Sequence, residues 1–424
     1  MTGAVGASEA RDETPAWAAA LEADGRYHAL DAVRGWALTL GVLFHAALSF
    51  LPGGQVWIVM DASRSAELSV MFYVLHIFRM TVFFVLAGFF ARLLLEKRGT
   101  RAFIKNRLTR IGVPLVSAWP IVLTAFIAVI IWVAIRANGG VPPENSEPPP
   151  PLTAETFPWL HLWFLYALLI FYAVALLLRG VFSVIDRNGA FGARVVDPIV
   201  RVVAGPGAPV ILAIPVAALL FFTPNWFGWF GIETPDRGVI PQPTSLAIFF
   251  IAFGLGWLIQ RQPRVLRGWG ERWAIYVGPA GGATIGCLMI AGVTPVFAAA
   301  TRDLQTLGYA ALYAFAVWAW TIAIIGFGVR FLSKESPTRR YLADASYWIY
   351  IVHIPVVIVL QAALAPYAWP WFVKYPLLLA IAFTIMLASY QWFVRYSFIG
   401  AILNGKKQKP AKRPRREPQL AAAE

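Results

Sequence analysis

The sequence predicts an all-α, polytopic membrane protein with about ten transmembrane helices. Of its 424 residues, 59% are hydrophobic and only 14% are charged, which is far more apolar than an average soluble protein. Apolar stretches recur along the chain at about the 20-residue length that crosses a hydrocarbon core of about 30 Å as a helix. They are residues 30–51, 68–95, 112–135, 159–178, 208–223, 244–260, 273–292, 308–330, 346–364 and 371–397. The stretch at 208–223 is the weakest because it is short and contains Pro215.

The net charge of +14 indicates membrane topology rather than nucleic acid binding, because the basic residues lie in alternate loops and in the tail. One side of the membrane receives 25 Lys and Arg residues and the other side five. The positive-inside rule assigns the richer side to the cytoplasm. We therefore expect both termini in the cytoplasm, membrane lipids as partners and no nucleic acid.

The chain divides into three regions by composition. Residues 1–26 are polar and lack the basic start and apolar core of a cleavable signal peptide, so they are expected to form a mobile cytosolic leader. Residues 27–400 hold the transmembrane domain, and residues 401–424 form a basic cytosolic tail. The largest outer loop, 137–158, is acidic and rich in proline, which is typical of an extended spacer or a mobile flap.

Small residues in the apolar stretches predict close packing. Ala87 and Gly88 would admit another backbone or a ligand. Cys287 is the sole cysteine, which excludes a multi-cysteine metal site and favours a packed thiol, and no metal is expected. Helix packing is also expected of three glycines spaced by four residues, which are Gly278, Gly282 and Gly286.

Two ionisable groups of the first apolar stretch, Arg34 and His45, lie where hydrocarbon would normally exclude them, and such groups are a functional hypothesis by default. Their separation of 11 residues places them on one helix face about 16 Å apart along the axis. Asp31 precedes Arg34 by three residues and can pair with it. That pair is a candidate part of the catalytic unit with His45, or a local ion pair that anchors the helix at the interface.

Four further ionisable groups lie in other apolar stretches. His76 and Arg79 are three residues apart in the second stretch, where an arginine requires a structural carboxylate, a bound anion or an acidic substrate as its partner. His161 opens the fourth stretch and His353 lies in the ninth. Each histidine could be a packed or interfacial residue, but several together indicate a polar cavity that binds substrate and handles protons.

A pair of arginines, Arg107 and Arg110, precedes the third apolar stretch. Two arginines three residues apart at a helix start form a fork suited to phosphate, and helix N-termini favour anions. Ordinary positive-inside charge is the competing interpretation, and the residues alone favour it.

Five sequence blocks occur in a fixed order along the chain. They are Arg34-x10-His45, FFVLAGFF at 83–90, Arg107-Leu-Thr-Arg110, HLWFL at 161–165 and SYWIYIVHIP at 346–355. In this order they resemble the blocks of the acyltransferase-3 family of bacterial inner-membrane proteins, and the branch looks like the one that succinylates glucans. The resemblance covers roughly residues 27–400. Ala87 departs from the serine that relatives often carry in the second block.

The resemblance implies a multi-pass enzyme that transfers an acyl group from cytoplasmic acyl-CoA, such as acetyl-CoA or succinyl-CoA, to a hydroxyl of an extracytoplasmic glycan. It implies an essential catalytic role for His45 and donor binding by Arg107 and Arg110. Arg34 would take part in both catalysis and donor binding. His45 would act as a general base or carry the acyl group as an acyl-histidine. Self-association into a homo-oligomer is an additional expectation.

The main alternative functions are a secondary transporter and a flippase for a glycan or small anion. About ten spans with buried His and Arg also suit a substrate or proton path. The two halves of the sequence show no convincing repeat of the kind that many transporters contain. The enzyme is therefore the preferred hypothesis.

Overall fold

The structure is a computed structural model that describes residues 27–142 and 151–405. The predictions for the leader, for most of the basic tail and for the centre of the proline-rich loop concern residues outside these ranges. Within them the all-α prediction is confirmed. The helices are α1 (His28–Ala47), α2 (Ala66–Arg107), α3 (Val113–Ala137), α4 (Trp163–Ile185), α5 (Asp197–Val203), α6 (Ala208–Phe222), α7 (Pro243–Ile259), α8 (Arg264–Ala291), α9 (Leu304–Phe331), α10 (Pro337–Leu364), α11 (Trp371–Ser389) and α12 (Phe398–Asn404).

Several of these helices are long and apolar enough to span a membrane, as predicted. Seven helical runs in the described ranges meet that condition, and a bent pair, Gly192–Val203 with Ala208–Phe222, would raise the number to eight. The pair meets at 92°, in the region where the sequence signal is weakest. Helix α7 is shorter, at 17 residues. The count of ten spans and the side of the termini stay predictions.

One of the seven runs, Ala66–Ala137, contains 72 residues and reverses direction within itself. Gly99 lies inside it with φ 76° and ψ 169°, a backbone conformation that glycine adopts without strain. The Arg107 guanidinium donates to the carbonyl oxygen of Phe90 at 3.5 Å. In an unbroken helix those residues would be about 25 Å apart. The chain therefore folds back at Gly99, in agreement with the two separate apolar stretches that the sequence shows there.

Helix α9 is the centre of the bundle. It contacts α1, α2, α6 and α8, and its Ala314, Val317 and Trp318 are fully buried. Such all-round burial explains why the helix is apolar on every face. Helix α1 packs between α9 and α10, so that its functional side chains face other helices as well as lipid.

Helices α2 and α7 cross at van der Waals contact through small residues. A Cβ on Gly88 would lie 1.9 Å from the Phe253 carbonyl oxygen, and one on Gly256 would lie 1.8 Å from that of Val85. The close approach expected at Gly88 is thus made by the backbone of α7 at Phe253. The packing expected of the glycines spaced by four is present only at Gly286, where a Cβ would lie 3.4 Å from the Leu312 side chain of α9, whereas Gly278 and Gly282 have open space where a Cβ would be. Cys287 is buried, as predicted.

A buried ion pair ties the loop after α1 to the start of α11. Lys374 Nζ lies 2.8 Å from a carboxylate oxygen of Asp61, and the two side chains are only 1% and 2% exposed. The same ammonium also donates to the Ala365 carbonyl oxygen at 3.3 Å. Removing one partner of such a pair leaves a buried charge without compensation.

We therefore expect Lys374→Met to destabilise the protein by about 3–5 kcal/mol, measured as thermal unfolding of the purified protein in detergent. The double variant with Asp61→Asn should recover part of the loss because it removes the orphaned carboxylate. Arg340→Gln is the control, since it breaks an exposed pair with Glu335 at 3.6 Å and should change stability by less than about 1 kcal/mol. Equal stability of Lys374→Met and the wild type would contradict the expectation.

Candidate active site

Helix α1 carries candidate residues at both of its ends. Arg34 and His45 lie on this one continuous helix, as the sequence predicts, so the separation along its axis is about 16 Å. Arg34 pairs with Asp31 at 3.1 Å, and its side chain is 43% exposed. Asp31 precedes His45 by about 21 Å of helix and cannot contact it. The catalytic role of Asp31 stays a prediction, whereas its pairing with Arg34 is present.

His45 is joined to His353 of α10. His45 Nδ1 lies 2.8 Å from the Gly41 carbonyl oxygen and 3.1 Å from His353 Nε2. His353 Nδ1 lies 2.7 Å from the Tyr350 carbonyl oxygen. A carbonyl oxygen only accepts, so each neutral imidazole carries its proton on Nδ1. His353 Nε2 then accepts from His45, and His45 Nε2 is left with a lone pair and no partner among the described residues.

His161 completes a row of three imidazoles. Its ring centroid lies 5.0 Å from that of His353, which in turn lies 4.9 Å from that of His45. His161 Nε2 donates to the Ile351 carbonyl oxygen at 3.0 Å, so its buried Nδ1 has a lone pair without a partner. The Tyr350 hydroxyl donates to the His161 carbonyl oxygen at 2.6 Å. These bonds fix the start of α4 against α10.

Arg79 supplies the positive charge of this cluster. Its guanidinium carbon lies 3.9 Å from the centroid of Phe44, a cation–π contact. Its buried Nη1 has no hydrogen-bond partner, and a Cβ on Gly41 would lie 3.9 Å from that atom. His76 also contacts Phe44, with ring centroids 5.6 Å apart. No carboxylate pairs with Arg79 in the described residues, so its charge is available to an anionic ligand.

Two residues that sequence reasoning missed hold the end of α1. Gln361 is 2% exposed, and its amide nitrogen donates to the His45 carbonyl oxygen at 3.0 Å. The Trp57 indole donates to the Gln361 side-chain oxygen at 2.8 Å, and its ring lies 5.9 Å from that of His45. Gln361 could have been found from the sequence, because it is a polar residue two turns beyond His353 in an apolar helix, where such a side chain bonds to another helix.

A second cluster gathers arginines at the other end of α1. Arg34 lies over the Phe90 ring at 5.4 Å, and Arg107 donates to the carbonyl oxygen of the same residue at 3.5 Å, so Phe90 contacts both arginines. The Arg107 guanidinium also lies over Tyr172 at 5.1 Å, and its buried Nε has no partner. The reversal at Gly99 brings these residues together.

Arg110 belongs to the same cluster. The positive charges of Arg107, Arg98 and Arg34 all act on it, and its backbone carbonyl accepts from the Tyr347 hydroxyl at 2.7 Å. The predicted helix start at this pair is wrong. Leu108–Gly112 form a π-helical turn inside a continuous helical run, so backbone N–H groups are already bonded, and only the guanidinium groups remain for an anion.

The predicted site residues thus form two groups joined by α1. His45, His353, His161, His76 and Arg79 surround one buried region. The basic group contains Arg34, Arg107 and Arg110. The predicted acidic partner, Asp31, lies with the basic group. Such an arrangement suits a ligand with a charged head, a narrow arm and a reactive end.

Comparisons with known proteins identify the family of this chain. A family model described as an acyltransferase domain matches residues 27–391. Relatives named "Glucans biosynthesis protein C" from Salmonella schwarzengrund, Salmonella heidelberg and Salmonella enteritidis are each 25% identical over 366 residues, which cover 81% of this chain and 85% of the relative. No solved structure matches.

The matched region begins just before α1 and ends within the π-helical turn that follows α11. It therefore contains every residue of the two clusters described above. Together with the apolar helices, a match of this extent supports one conclusion. The chain belongs to the acyltransferase-3 family and is a multi-pass membrane acyltransferase.

Proposed function

We propose that the enzyme transfers an acyl group from cytoplasmic acyl-CoA to a hydroxyl of a periplasmic or cell-surface glycan, across the bacterial inner membrane. The names of the relatives support a glucan as the acceptor class. The observation that carries the proposal is the free Nε2 of His45, held at one end of a helix whose other end bears the arginine cluster. Membership in an acyltransferase family favours this reaction over the transporter and the flippase.

The donor enters from the basic end. Arg107 and Arg110 hold the CoA phosphates with Arg34, since guanidinium groups bind phosphate in a planar fork. The buried Arg107 Nε without a partner supports this role. The pantetheine arm then follows α1 inward, over the roughly 16 Å that separates Arg34 from His45.

His45 acts as the general base. Its Nε2 takes the proton of the acceptor hydroxyl while that oxygen bonds to the thioester carbonyl carbon. The carbon–sulfur bond then breaks, and the proton passes from His45 to the departing CoA thiolate. His353 stabilises the imidazolium form because its Nε2 accepts from His45 Nδ1–H at 3.1 Å. Gln361 holds the backbone of His45 in place.

Arg79 holds the free carboxylate of a dicarboxylic acyl group. Its unpartnered Nη1 provides a donor, and no acidic side chain competes for it in the described ranges. His76 and His161 orient the glycan at the same region, where the His161 Nδ1 is available as an acceptor.

We expect His45→Ala to lower glycan acylation by about 10²–10⁴-fold, because a general base contributes about that much. The measurement is mass spectrometry of envelope glycans from a strain that lacks other such enzymes, at equal protein level. His353→Phe should give a smaller loss. His28→Gln, a histidine at the opposite end of α1, is the matched control. Unchanged acylation by His45→Ala would refute the assignment.

The double variant Arg107→Ala with Arg110→Ala should lose acyl-CoA binding, because both phosphate-binding guanidinium groups are removed. Binding of acetyl-CoA and succinyl-CoA to the purified protein is the measurement. Arg267→Gln is the control, since this arginine pairs with Glu271 elsewhere on the basic face. Full binding by the double variant would exclude these arginines from the donor site.

Arg79→Gln should reduce transfer from succinyl-CoA at least about tenfold more than transfer from acetyl-CoA, since a buried charge-assisted hydrogen bond contributes about 1.5–3 kcal/mol. The ratio of kcat/KM for the two donors is the measurement. An equal loss for both donors would place Arg79 at the thioester oxygen. No change with either donor would remove Arg79 from the site.

A further inference from the structure

A cavity lies at the basic end of the protein, and none of the residues of the two clusters described above lines it. It has a volume of about 590 Å³, within the range of ligand sites. Its walls come from α2, α4, α7 and the segment that follows α4. Phe250 and Trp257 form the inner wall, whereas Leu178, Phe182 and Phe191 are more than 40% exposed. The cavity therefore opens sideways, through apolar side chains that suit contact with hydrocarbon.

Three arginines line the same cavity, which are Arg92, Arg179 and Arg261. The positive charges of Arg261 and Arg179 both act on Arg92, so the three guanidinium groups converge. The side chain of Arg92 is only 14% exposed. Like charges repel, and such a group is stabilised when an anion joins it.

The nearby carboxylates already have partners. Glu96 accepts from Arg92 at 2.7 Å, and Asp197 accepts from Arg261 at 2.7 Å. Asp186 accepts from the backbone N–H groups of residues 191 and 192, at 2.9 Å and 2.7 Å. Arg179 forms no ion pair with any residue of the described ranges. The three carboxylates balance the three arginines in formal charge, but the Arg179 guanidinium itself has no carboxylate partner in those ranges and is available to a phosphate at the rim of the apolar cavity.

We propose that this cavity binds an anionic phospholipid of the cytoplasmic leaflet. The phosphate lies against Arg179, Arg92 and Arg261, and an acyl chain lies along Phe182, Phe250 and Trp257. Basic pockets between transmembrane helices on the cytoplasmic side are suited to anionic headgroups, and here an apolar wall continues from the charge. The side assignment rests on the positive-inside rule.

The site is separate from the proposed donor path. Arg92 lies two residues beyond Phe90 on α2, so the two side chains point about 200° apart around the helix, and none of the three arginines of the proposed donor site lines the cavity. The lipid would be a resident ligand that contacts α4 and α7, not a reactant. Lipid binding at this cavity therefore does not require the acyl transfer reaction.

The test compares dioleoylphosphatidylglycerol with dioleoylphosphatidylcholine, titrated into the full-length protein in detergent and followed by native mass spectrometry. We expect the wild type to prefer phosphatidylglycerol and Arg179→Gln to bind it about fivefold more weakly, the effect of one basic residue near an anionic headgroup. Phe182→Ser should weaken both lipids. Arg101→Gln removes an exposed arginine of α2 outside the cavity and should leave the preference unchanged.

Three results would overturn the proposal. The first is equal binding of the two lipids by the wild type, and the second is the same loss in Arg101→Gln as in Arg179→Gln. The third is complete displacement of the lipid by glycerol phosphate or by CoA at micromolar concentration, which would assign the arginines to a soluble phosphate or to the donor. Retained glycan acylation in Arg179→Gln would show that the loss of lipid binding in this variant is separate from the acyl transfer reaction.

Discussion

The hydrogen bond between His45 and His353 is the interaction on which the candidate site depends. It joins α1 to α10 inside an apolar bundle, where polar groups require partners. Both imidazoles use backbone carbonyl oxygens to fix their Nδ1 protons. Consequently one nitrogen, His45 Nε2, is left to act on a ligand. A protein that bonded both nitrogens of His45 would have a packed histidine without a chemical role.

The same constraint explains the arrangement around the site. Gln361 and Trp57 bond to each other and to the end of α1, so that polar groups near His45 are satisfied except those available to a ligand. Arg79 is the exception. Aromatic contact with Phe44 offsets part of the burial of its charge. Two buried polar atoms without a partner in the described residues, Arg79 Nη1 and His161 Nδ1, lie in this region, and a ligand that bonded to them would satisfy both.

The basic end of the protein contains two collections of arginines with different surroundings. Arg34 lies near the N-terminal end of α1, and the chain reversal at Gly99 brings Arg107 and Arg110 to the same end. Arg92 and Arg179 instead border an apolar cavity that opens sideways. Positive-inside charge accounts for the presence of all these residues, but their neighbours determine what each group can bind. The cluster of Arg34, Arg107 and Arg110 suits the phosphates of the proposed CoA donor. The arginines beside the apolar cavity suit the headgroup of an amphipathic lipid.

The sequence by itself determined the helical class, the apolar stretches and the separation of Arg34 and His45 along one helix, because hydropathy and helical spacing are local properties. It also found each histidine of the site. Only the tertiary structure decided that His45 meets His353, 308 residues away, and that Arg79 Nη1 has no hydrogen-bond partner in the described residues. Those outcomes depend on how helices distant in the chain pack together, which single-helix periodicity does not encode.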